Sequence, residues 1–307
     1  MSKIAFIFPG QGAQACGMGK DFYEQTETGK RIFDKATQLM GFSMPQLCFE
    51  ENDRLDITEY TQAAMVTASI AMMRVLEENG IKPDVAAGLS LGEYCALAAA
   101  GVMSDEDAIR TVRQRGILMQ EAVPVGEGAM AAILALDASA IEEVTGAMEG
   151  VWIANYNCPG QIVISGEKAA VEEACEKLKA AGAKRAVMLN VSGPFHSGML
   201  ADAGEKLGEV LSQVELHEPQ IPYVANVTAQ YVKSAAEVKE LLTRQVSSSV
   251  RWQQSVEAMI ADGVDTFIEI GPGKTLAGFM RKISRDVKTL NVEKLEDISK
   301  VAEALKS

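Results

Sequence analysis

The sequence predicts an α/β protein in which a small ferredoxin-like domain interrupts a larger one. Two observations carry this prediction. A short apolar strand at 85–88 enters a Gly-x-Ser-x-Gly turn, and a helix rich in alanine follows. Farther along, residues 128–191 follow the order βαββαβ, which is the ferredoxin-like arrangement. We therefore expect the small domain at 127–192, inserted into a large domain made of 1–126 and 193–307.

Composition narrows the classes of function. The chain has 307 residues, of which 48% are hydrophobic, so it can bury a large core. Its formal net charge of −13 argues against nucleic acid or an anionic membrane as the main partner. Five scattered cysteines without a Cys-x-x-Cys pair favour reduced thiols over disulfides or a zinc site. With two histidines in the whole chain, few side chains are available as metal ligands. Without a secretion signal or an apolar run long enough to span a membrane, the protein is expected in the cytoplasm.

The first part of the chain alternates strands with helices. A β-rich run at 3–8 ends in a Pro-Gly-Gln-Gly loop, and 20–40 is predicted as helical. A further helix is predicted at 58–79, where an Asn-Gly pair is a common stop signal. After the Gly-x-Ser-x-Gly turn, a serine cap and acidic residues in the first turn predict a helix over 105–122.

Ser90 lies between Gly88 and Gly92 in the sharp turn from strand to helix. A serine in such a turn has a strained backbone, and its neighbours two positions away must be tiny because strand and helix nearly touch. The turn lifts the hydroxyl clear of the sheet and places it at a helix N-terminus, where free N–H groups stabilise an oxyanion. Ser90 is therefore the candidate nucleophile. The alternative is a tight turn that contains a serine by chance.

Two glycine-rich stretches are similar to nucleotide-binding loops. Residues 10–15 fit the loose dinucleotide pattern after a strand, but that pattern expects a second strand where 20–40 is predicted as helix. Residues 273–275 match the end of a phosphate-binding loop, yet the glycine required at position 268 is an isoleucine. We disfavour the first interpretation and drop the second. Both loops still follow strands, where α/β sheets place binding residues.

The inserted segment and the chain after it contain further predicted elements. Strands are expected over 129–136, 151–155, 161–165 and 184–191, with helices over 139–148 and 167–181. The chain re-enters the large domain at Ser192. Beyond it, strands are expected over 222–226 and 266–270, and helices over 234–242 and 252–262.

Of the two histidines, His196 is the better candidate for a general base. It follows a strand and a Gly-Pro turn, and the fold can bring it to Ser90. An imidazole with a pKa of about 6.5 can take and return the hydroxyl proton at neutral pH. His217 stands at a charged edge before a proline and is expected at the surface. The alternative for His196 is a structural histidine with satisfied hydrogen bonds.

Three arginines occupy the helix predicted over 105–122. Arg110 and Arg113 are expected as solvated surface charges, which is the usual position of helical arginines. Arg115 stands in another register, amid apolar residues, and is a candidate to hold a substrate anion through a bidentate ion pair. The residues alone leave that role open.

Seven motifs follow one another along nearly the whole chain. They are Phe8-Pro9-Gly10-Gln11-Gly12, Gly88-Leu89-Ser90-Leu91-Gly92-Glu93-Tyr94, Arg113-Gln114-Arg115-Gly116, Asn155-Tyr156-Asn157-Cys158-Pro159-Gly160-Gln161, Gly193-Pro194-Phe195-His196-Ser197, Gln245 before Val250-Arg251-Trp252, and Glu269-Ile270-Gly271-Pro272-Gly273. In this order they resemble the malonyl-CoA:acyl carrier protein transacylases of fatty acid synthesis. The full set is far more specific than any one motif.

The resemblance implies a fold and a reaction centre. The large domain would be α/β-hydrolase-like and the inserted domain ferredoxin-like. Ser90 would take the malonyl group as an ester, with His196 acting as base and then as acid. The backbone N–H groups of Gln11 and Leu91 would form the oxyanion hole.

The resemblance also implies a substrate pocket. Arg115 would pair with the free malonyl carboxylate, and Gln245 would orient the catalytic histidine through its main-chain carbonyl. Asn157 would line the pocket from the small domain, and Phe195 is typical of the forms that select malonyl. The chain departs from the family at Leu89, where a histidine is usual. Since that side chain is not the implied base, we expect the chemistry to survive.

The implied reaction has two substrates and no bound cofactor. Malonyl-CoA would acylate the serine, and the phosphopantetheine thiol of an acyl carrier protein would then accept the malonyl group in a ping-pong reaction. Carrier proteins of this pathway are acidic, so docking on this acidic chain needs a basic patch. We suggest Lys274, Arg281, Lys282 and Arg285, and the alternative is a solvated helix face.

Three other functions remain open at this point. A stand-alone acyltransferase of a polyketide assembly line has the same chemistry and a different partner. A serine hydrolase shares the turn but normally needs an acid that orients its histidine. A noncatalytic carrier-binding module would form no acyl adduct.

Overall fold

Two β-sheets organise the chain in the computed structural model, which describes residues 2–191 and 193–306. The strands are β1 (Ile4–Phe8), β2 (Val85–Gly88), β3 (Gly128–Leu134), β4 (Val151–Cys158), β5 (Gln161–Glu167), β6 (Arg185–Met188), β7 (Tyr223–Val224), β8 (Thr266–Ile270) and β9 (Lys288–Val292). The larger sheet is parallel, in the order β7-β2-β1-β8-β9. The smaller sheet is antiparallel, in the order β4-β5-β3-β6. The predicted α/β fold with an antiparallel insertion is confirmed.

Helices connect the strands. They are α1 (Lys20–Gln25), α2 (Glu27–Met40), α3 (Met44–Phe49), α4 (Thr58–Glu78), α5 (Gly92–Ala99), α6 (Asp105–Glu121), α7 (Ala138–Gly146), α8 (Lys168–Ala180), α9 (Ala201–Leu211), α10 (Ala235–Gln245), α11 (Trp252–Ala261), α12 (Thr275–Ile283) and α13 (Asp297–Ala304). Within the described residues, no helix is long and apolar enough to cross a membrane.

The parallel sheet is buried on both faces. Successive residues of a strand point to opposite sides, so each face of β1 joins a different apolar cluster. Phe6 and Phe8 pack into the main core, and Ala5 and Ile7 pack into the cluster on the other face. The sheet is therefore a rigid base, and the ends of its strands can hold a site.

The small sheet shows the ferredoxin-like strand order that the βαββαβ sequence predicts. Its own core lies between the sheet and the helices α7 and α8. Tyr156 N donates to Val250 O across 2.9 Å, and Val250 N donates to Ala154 O across 2.8 Å. These bonds join the edge strand β4 to the large domain. The boundaries of the insertion stay a prediction, and Ser192 lies outside the described residues.

The helical segment predicted over 20–40 is confirmed, and the structure divides it into α1 and α2 with a break at Thr26. The Thr26 hydroxyl donates to Phe22 O and accepts from Gly29 N, so it caps the second helix. A Cβ atom at Gly29 would lie 2.4 Å from the Phe22 carbonyl oxygen, so the two helices meet almost backbone to backbone. The threonine and the glycine turn the chain sharply here.

Candidate active site

The turn after β2 shows why its two glycines are required. A Cβ atom at Gly88 would lie 2.0 Å from the carbonyl carbon of Gly92, and one at Gly92 would lie 2.3 Å from Phe8 O. Strand, turn and helix α5 thus meet without room for a side chain. Ser90 has a φ of 53°, the left-handed conformation that a non-glycine residue adopts only when its surroundings impose it.

The Ser90 hydroxyl lies 2.7 Å from His196 Nε2. On the other side of the ring, Nδ1 lies 2.8 Å from the main-chain oxygen of Gln245. Because a carbonyl oxygen only accepts, Nδ1 carries the proton and Nε2 faces the serine with its lone pair. The two side chains are 106 residues apart in the chain, and their contact has the geometry of a serine and its general base.

The imidazole of His196 is held neutral. It is 4% exposed, and burial together with the nearby charge of Arg115 lowers its pKa to about 4, against the opposing effect of the Gln245 and Ser248 backbone. A neutral imidazole is the form that takes a proton, so the ring is ready to act as a base at physiological pH.

Arg115 lies inside the protein, at 1% exposure, and reaches the Ser90 hydroxyl. Its Nη2 donates to Ser90 Oγ and to Gln245 Oε1, both at 3.0 Å, and its Nη1 donates to Gln62 Oε1 at 2.8 Å. Its Nε has no hydrogen-bond partner among the described residues. Burial lowers the pKa of this guanidinium, while Tyr94 and Glu93 oppose that shift. A buried cation beside the nucleophile attracts an anionic substrate group.

Gln245 forms hydrogen bonds with four residues of the site: Ser90, Glu93, Arg115 and His196. Beyond its bonds to His196 and Arg115, its side-chain Nε2 donates to Ser90 O across 3.0 Å and to Glu93 Oε2 across 2.6 Å. The residue stands at the C-terminus of α10 and is fully buried. One glutamine thus binds the base through its main chain and the guanidinium through its side chain.

Asn226 holds the strained turn through hydrogen bonds, and Glu93 in turn binds Asn226. Asn226 Oδ1 accepts from Ser90 N across 2.7 Å, and Asn226 Nδ2 donates to Gly88 O across 2.6 Å. Asn226 N donates in turn to Glu93 Oε2 across 3.2 Å. Burial raises the pKa of the Glu93 carboxyl to about 7, against the opposing hydrogen bonds from Gln245 and Asn226.

The groups named for an oxyanion hole lie beside this turn. A Cβ atom at Gly10 would lie 2.7 Å from the Leu89 side chain, so the loop after β1 packs directly on the turn. The backbone N–H groups of Gln11 and Leu91 donate to no other group within 2–191 and 193–306. Leu91 is also the N-cap of α5, where backbone N–H groups point out of the helix. Both donors are free for a substrate oxygen.

Three other residues of the sequence prediction lie outside this hydrogen-bond network. Phe195 packs in the main core next to His196 in the chain, and Asn157 is buried in β4 without a hydrogen bond to the serine, the histidine or Arg115. Leu89 packs against the apolar cluster on the other face of the parallel sheet. Its side chain has no hydrogen-bonding group, and its backbone N–H donates to Phe8 O across 3.0 Å.

The other sequence candidates lie at or near the surface. His217 is exposed, with Glu215 at 3.9 Å, and Arg110 is exposed as predicted. Arg113 differs from its prediction as a solvated charge, because it is partly buried, forms an ion pair with Glu59 and lies over the ring of Tyr60. Among the described residues, no group of histidine, cysteine, aspartate and glutamate side chains is arranged to hold a metal ion.

Sequence reasoning gave no role to Gln62, Glu93 or Asn226. A signal existed for the first two, since each is a polar residue in a helix that is otherwise buried: α4 for Gln62 and α5 for Glu93. A buried polar side chain must find a partner, so such a residue marks a hydrogen-bond network. Asn226 carries no comparable signal, because it follows a strand as many loop residues do.

Comparisons with known proteins show the family of this chain. Residues 5–300 match the acyl transferase domain family. The malonyl CoA-acyl carrier protein transacylase of Bacillus subtilis is 50% identical over 311 residues, covering 100% of this chain and 98% of that protein. The solved transacylase of the same name from Clostridium perfringens is 42% identical with a TM-score of 0.96, covering 99% of this chain and 98% of that one.

A further solved structure holds a malonyl-transacylase in complex with its type II PKS acyl-carrier protein. It is 40% identical to this chain with a TM-score of 0.95, and the match covers 99% of this chain and 100% of that one. The full-length matches, the family match and the shared fold lead to one assignment. The chain belongs to the acyl transferase family and, within it, to the malonyl-CoA:acyl carrier protein transacylases.

Proposed function

We propose that the chain is a malonyl-CoA:acyl carrier protein transacylase that supplies fatty acid synthesis. The observation that carries the proposal is the placement of one hydroxyl between a base and a buried cation. Ser90 Oγ lies 2.7 Å from His196 Nε2 and 3.0 Å from Arg115 Nη2. The first neighbour activates the nucleophile, and the second can bind the free carboxylate that distinguishes malonyl from acetyl.

The first half-reaction acylates the serine. His196 Nε2 takes the hydroxyl proton as Ser90 Oγ attacks the thioester carbonyl of malonyl-CoA. The carbonyl oxygen becomes an oxyanion, for which the N–H groups of Gln11 and Leu91 are the available donors. When the carbon–sulfur bond breaks, the imidazolium returns its proton to the CoA sulfur. The malonyl group is then an ester on Ser90.

The second half-reaction runs the same steps with another thiol. His196 takes the proton of the phosphopantetheine thiol, sulfur attacks the ester carbonyl, and the serine oxygen leaves with the returned proton. Each half-reaction exchanges one acyl bond for another of similar energy. Binding of the malonyl carboxylate by Arg115 orients the acyl group and selects it before water can react.

The orienting group of His196 distinguishes this site from that of a common serine hydrolase. A main-chain carbonyl, Gln245 O, accepts a hydrogen bond from the Nδ1–H group of His196. No carboxylate of a described residue accepts one from it. The carbonyl fixes the tautomer without placing a negative charge beside the ring. Asn157 and Phe195 are proposed to shape the malonyl pocket on the strength of the family resemblance.

The carrier protein would dock on a basic patch around α12. Lys274, Arg281, Lys282 and Arg285 are all exposed, and none of them forms an ion pair with another described residue. The apolar face of this helix is buried through Leu276, Ala277 and Met280, so the charged face is available to a partner. Opposite charges would steer an acidic carrier protein to the exposed face of α12.

A polyketide carrier protein is the second candidate acceptor. A related structure pairs a malonyl-transacylase with a type II PKS carrier protein, and the chemistry on the enzyme would be identical. The cytoplasm is the proposed location in either case. All five cysteines are free thiols, as is typical of a reducing compartment.

Intact-protein mass spectrometry tests the function. Wild type mixed with malonyl-CoA should gain one malonyl group and lose it to holo carrier protein, while Ser90→Ala should gain none. Steady CoA release without an adduct would indicate a hydrolase. An adduct that only a polyketide carrier protein discharges would assign the second acceptor. Absence of both adduct and CoA release would overturn the proposal.

A further inference from the structure

Glu93 is a carboxylate inside the protein whose contacts all lead to the reacting groups. It is 1% exposed, although it belongs to a helix of small and apolar residues. Its Oε2 accepts from Gln245 Nε2 at 2.6 Å and from Asn226 N at 3.2 Å. Its Oε1 has no partner among the described residues. Burying a carboxyl group costs free energy of folding, so we expect an acid at this position to have a function.

We propose that Glu93 is a positioning residue, which fixes the orientation of the Gln245 amide and thereby the Arg115 guanidinium. The inference rests on the proposed function, in which that guanidinium binds the malonyl carboxylate. Glu93 touches neither substrate nor nucleophile in this account.

The two ends of the Gln245 amide face opposite kinds of partner. Its Nε2 faces Glu93 Oε2 and Ser90 O, which are acceptors, and its Oε1 faces the donor Arg115 Nη2 at 3.0 Å. A flipped amide would place an NH₂ group against the guanidinium and an oxygen against the carboxylate. Both contacts would become repulsive, so the carboxylate permits only one orientation.

Protonation leaves this effect in place. Both hydrogen bonds to Glu93 end on Oε2, so a proton on this acid belongs on Oε1, which is unpartnered. Oε2 stays an acceptor in either state. A glutamine at position 93 would hold the Gln245 amide less firmly: its oxygen can accept the bonds now made to Oε2, but its NH₂ group can also turn to Gln245 Oε1, at the cost of the bond from Asn226 N, and so allows the flipped orientation.

The consequence concerns substrate choice. Arg115 Nη2 would lose a fixed acceptor when the Gln245 amide turns, and the guanidinium would no longer be held in line with the substrate carboxylate. Malonyl transfer depends on that guanidinium, whereas acetyl transfer has no carboxylate to bind. The ratio of the two acylation rates therefore reports on the position of Arg115.

The experiment measures the rate of acylation of the enzyme by malonyl-CoA and by acetyl-CoA, without carrier protein. We expect Glu93→Gln to lower the malonyl-to-acetyl ratio about fivefold. Glu269→Gln is the matched control, because Glu269 is another buried acid that accepts from two backbone N–H groups, at Leu276 and Ala277. Its ratio should equal that of wild type. A role in folding alone would lower both rates by one factor and leave the ratio unchanged.

A double variant tests whether the effect passes through Gln245. Gln245→Ala keeps the main-chain carbonyl on His196 and removes the amide, so it should itself lower the ratio at least as much as Glu93→Gln. Adding Glu93→Gln to Gln245→Ala should change the ratio less than about twofold. An unchanged ratio in either single variant, or the full Glu93→Gln effect in the absence of the amide, would overturn the inference.

Wild type separates this inference from the function on which it rests. If malonyl-CoA forms no adduct on wild type, the proposed function fails and the inference fails with it. If wild type is acylated and Glu93→Gln keeps the wild-type ratio, only the role of Glu93 is overturned.

Discussion

The Arg115 guanidinium donates a hydrogen bond to the Ser90 hydroxyl across 3.0 Å, from a position that is almost completely buried. The cation assigned to the substrate carboxylate thus contacts the nucleophile itself in the free protein. The Nε–H group of the same guanidinium has no partner among the described residues, so it is a further donor for the carboxylate. The proposed nucleophile and the proposed specificity group are therefore parts of one network, joined further by Gln245.

We expect Arg115→Ala to abolish the preference for malonyl. Loss of a buried charge-assisted pair should lower kcat/KM for malonyl-CoA by about a hundredfold or more, and acetyl transfer by less than about tenfold. Steady-state kinetics with both acyl-CoA substrates provide the measurement. Arg110→Ala, an exposed arginine of the same helix, is the control and should match wild type. Equal losses for malonyl and acetyl would contradict the assignment.

The lowered pKa of His196 predicts how the reactivity of Ser90 depends on pH. Since burial and Arg115 bring that pKa to about 4, the ring is neutral and basic above this value. The rate of labelling by a fluorophosphonate, which carries no carboxylate, should stay level from pH 8 to about pH 5 and fall below it. His217→Ala, which changes the exposed histidine, should give the same curve. A fall centred near pH 6.5 would mean that the fold does not shift this pKa.

Gly88 should be intolerant of any side chain. The Cβ of Gly88→Ala would meet the backbone of Gly92 at 2.0 Å, a clash that no rotamer can relieve. We expect a loss of at least about 3 kcal/mol in the free energy of unfolding, measured by urea denaturation. The control is Gly278→Ala in α12, where a Cβ has open space and should stabilise the helix by about 0.5–1 kcal/mol. A Gly88→Ala protein as stable as wild type would show that strand and helix can separate.

The docking surface is tested by reversing charge at two adjacent residues. Arg281→Glu with Lys282→Glu should raise KM for the carrier protein about tenfold at low salt, with a smaller effect at high salt. Acylation by malonyl-CoA should not change. The control reverses Lys30 and Arg31, an exposed basic pair on α2, and alters the net charge equally. If both pairs raise KM alike, overall charge and not the α12 patch determines binding.

Local patterns predicted the elements well where neighbouring signals agreed. The strand expected at 266–270 has those bounds in the structure, and the helix expected over 105–122 runs from Asp105 to Glu121. Over 20–40 the helical prediction did not include the break at Thr26, because a helical pattern does not reveal that one threonine caps a second helix against the first. The elements α3, α9, β9 and α13 were not predicted, since short or mixed segments give weak periodic signals.

The sequence by itself determined the chemistry that is local. Two glycines around Ser90 require a tight turn at a helix N-terminus, and alternation with helices requires a buried parallel sheet. The choice of His196 over His217 also followed from sequence, since a turn after a strand differs from a charged edge.

Only the tertiary structure decided how the groups are connected. Gln62, Glu93 and Asn226 come from three separate segments, and their contacts with Arg115, Gln245 and Ser90 span 53, 152 and 136 residues of the chain. Hydrogen bonds in a buried network depend on angles and distances of a few tenths of an ångström. Periodicity and composition carry no such information. They indicate which face of a helix or strand is buried, but not which polar atom of the neighbouring element lies opposite that face.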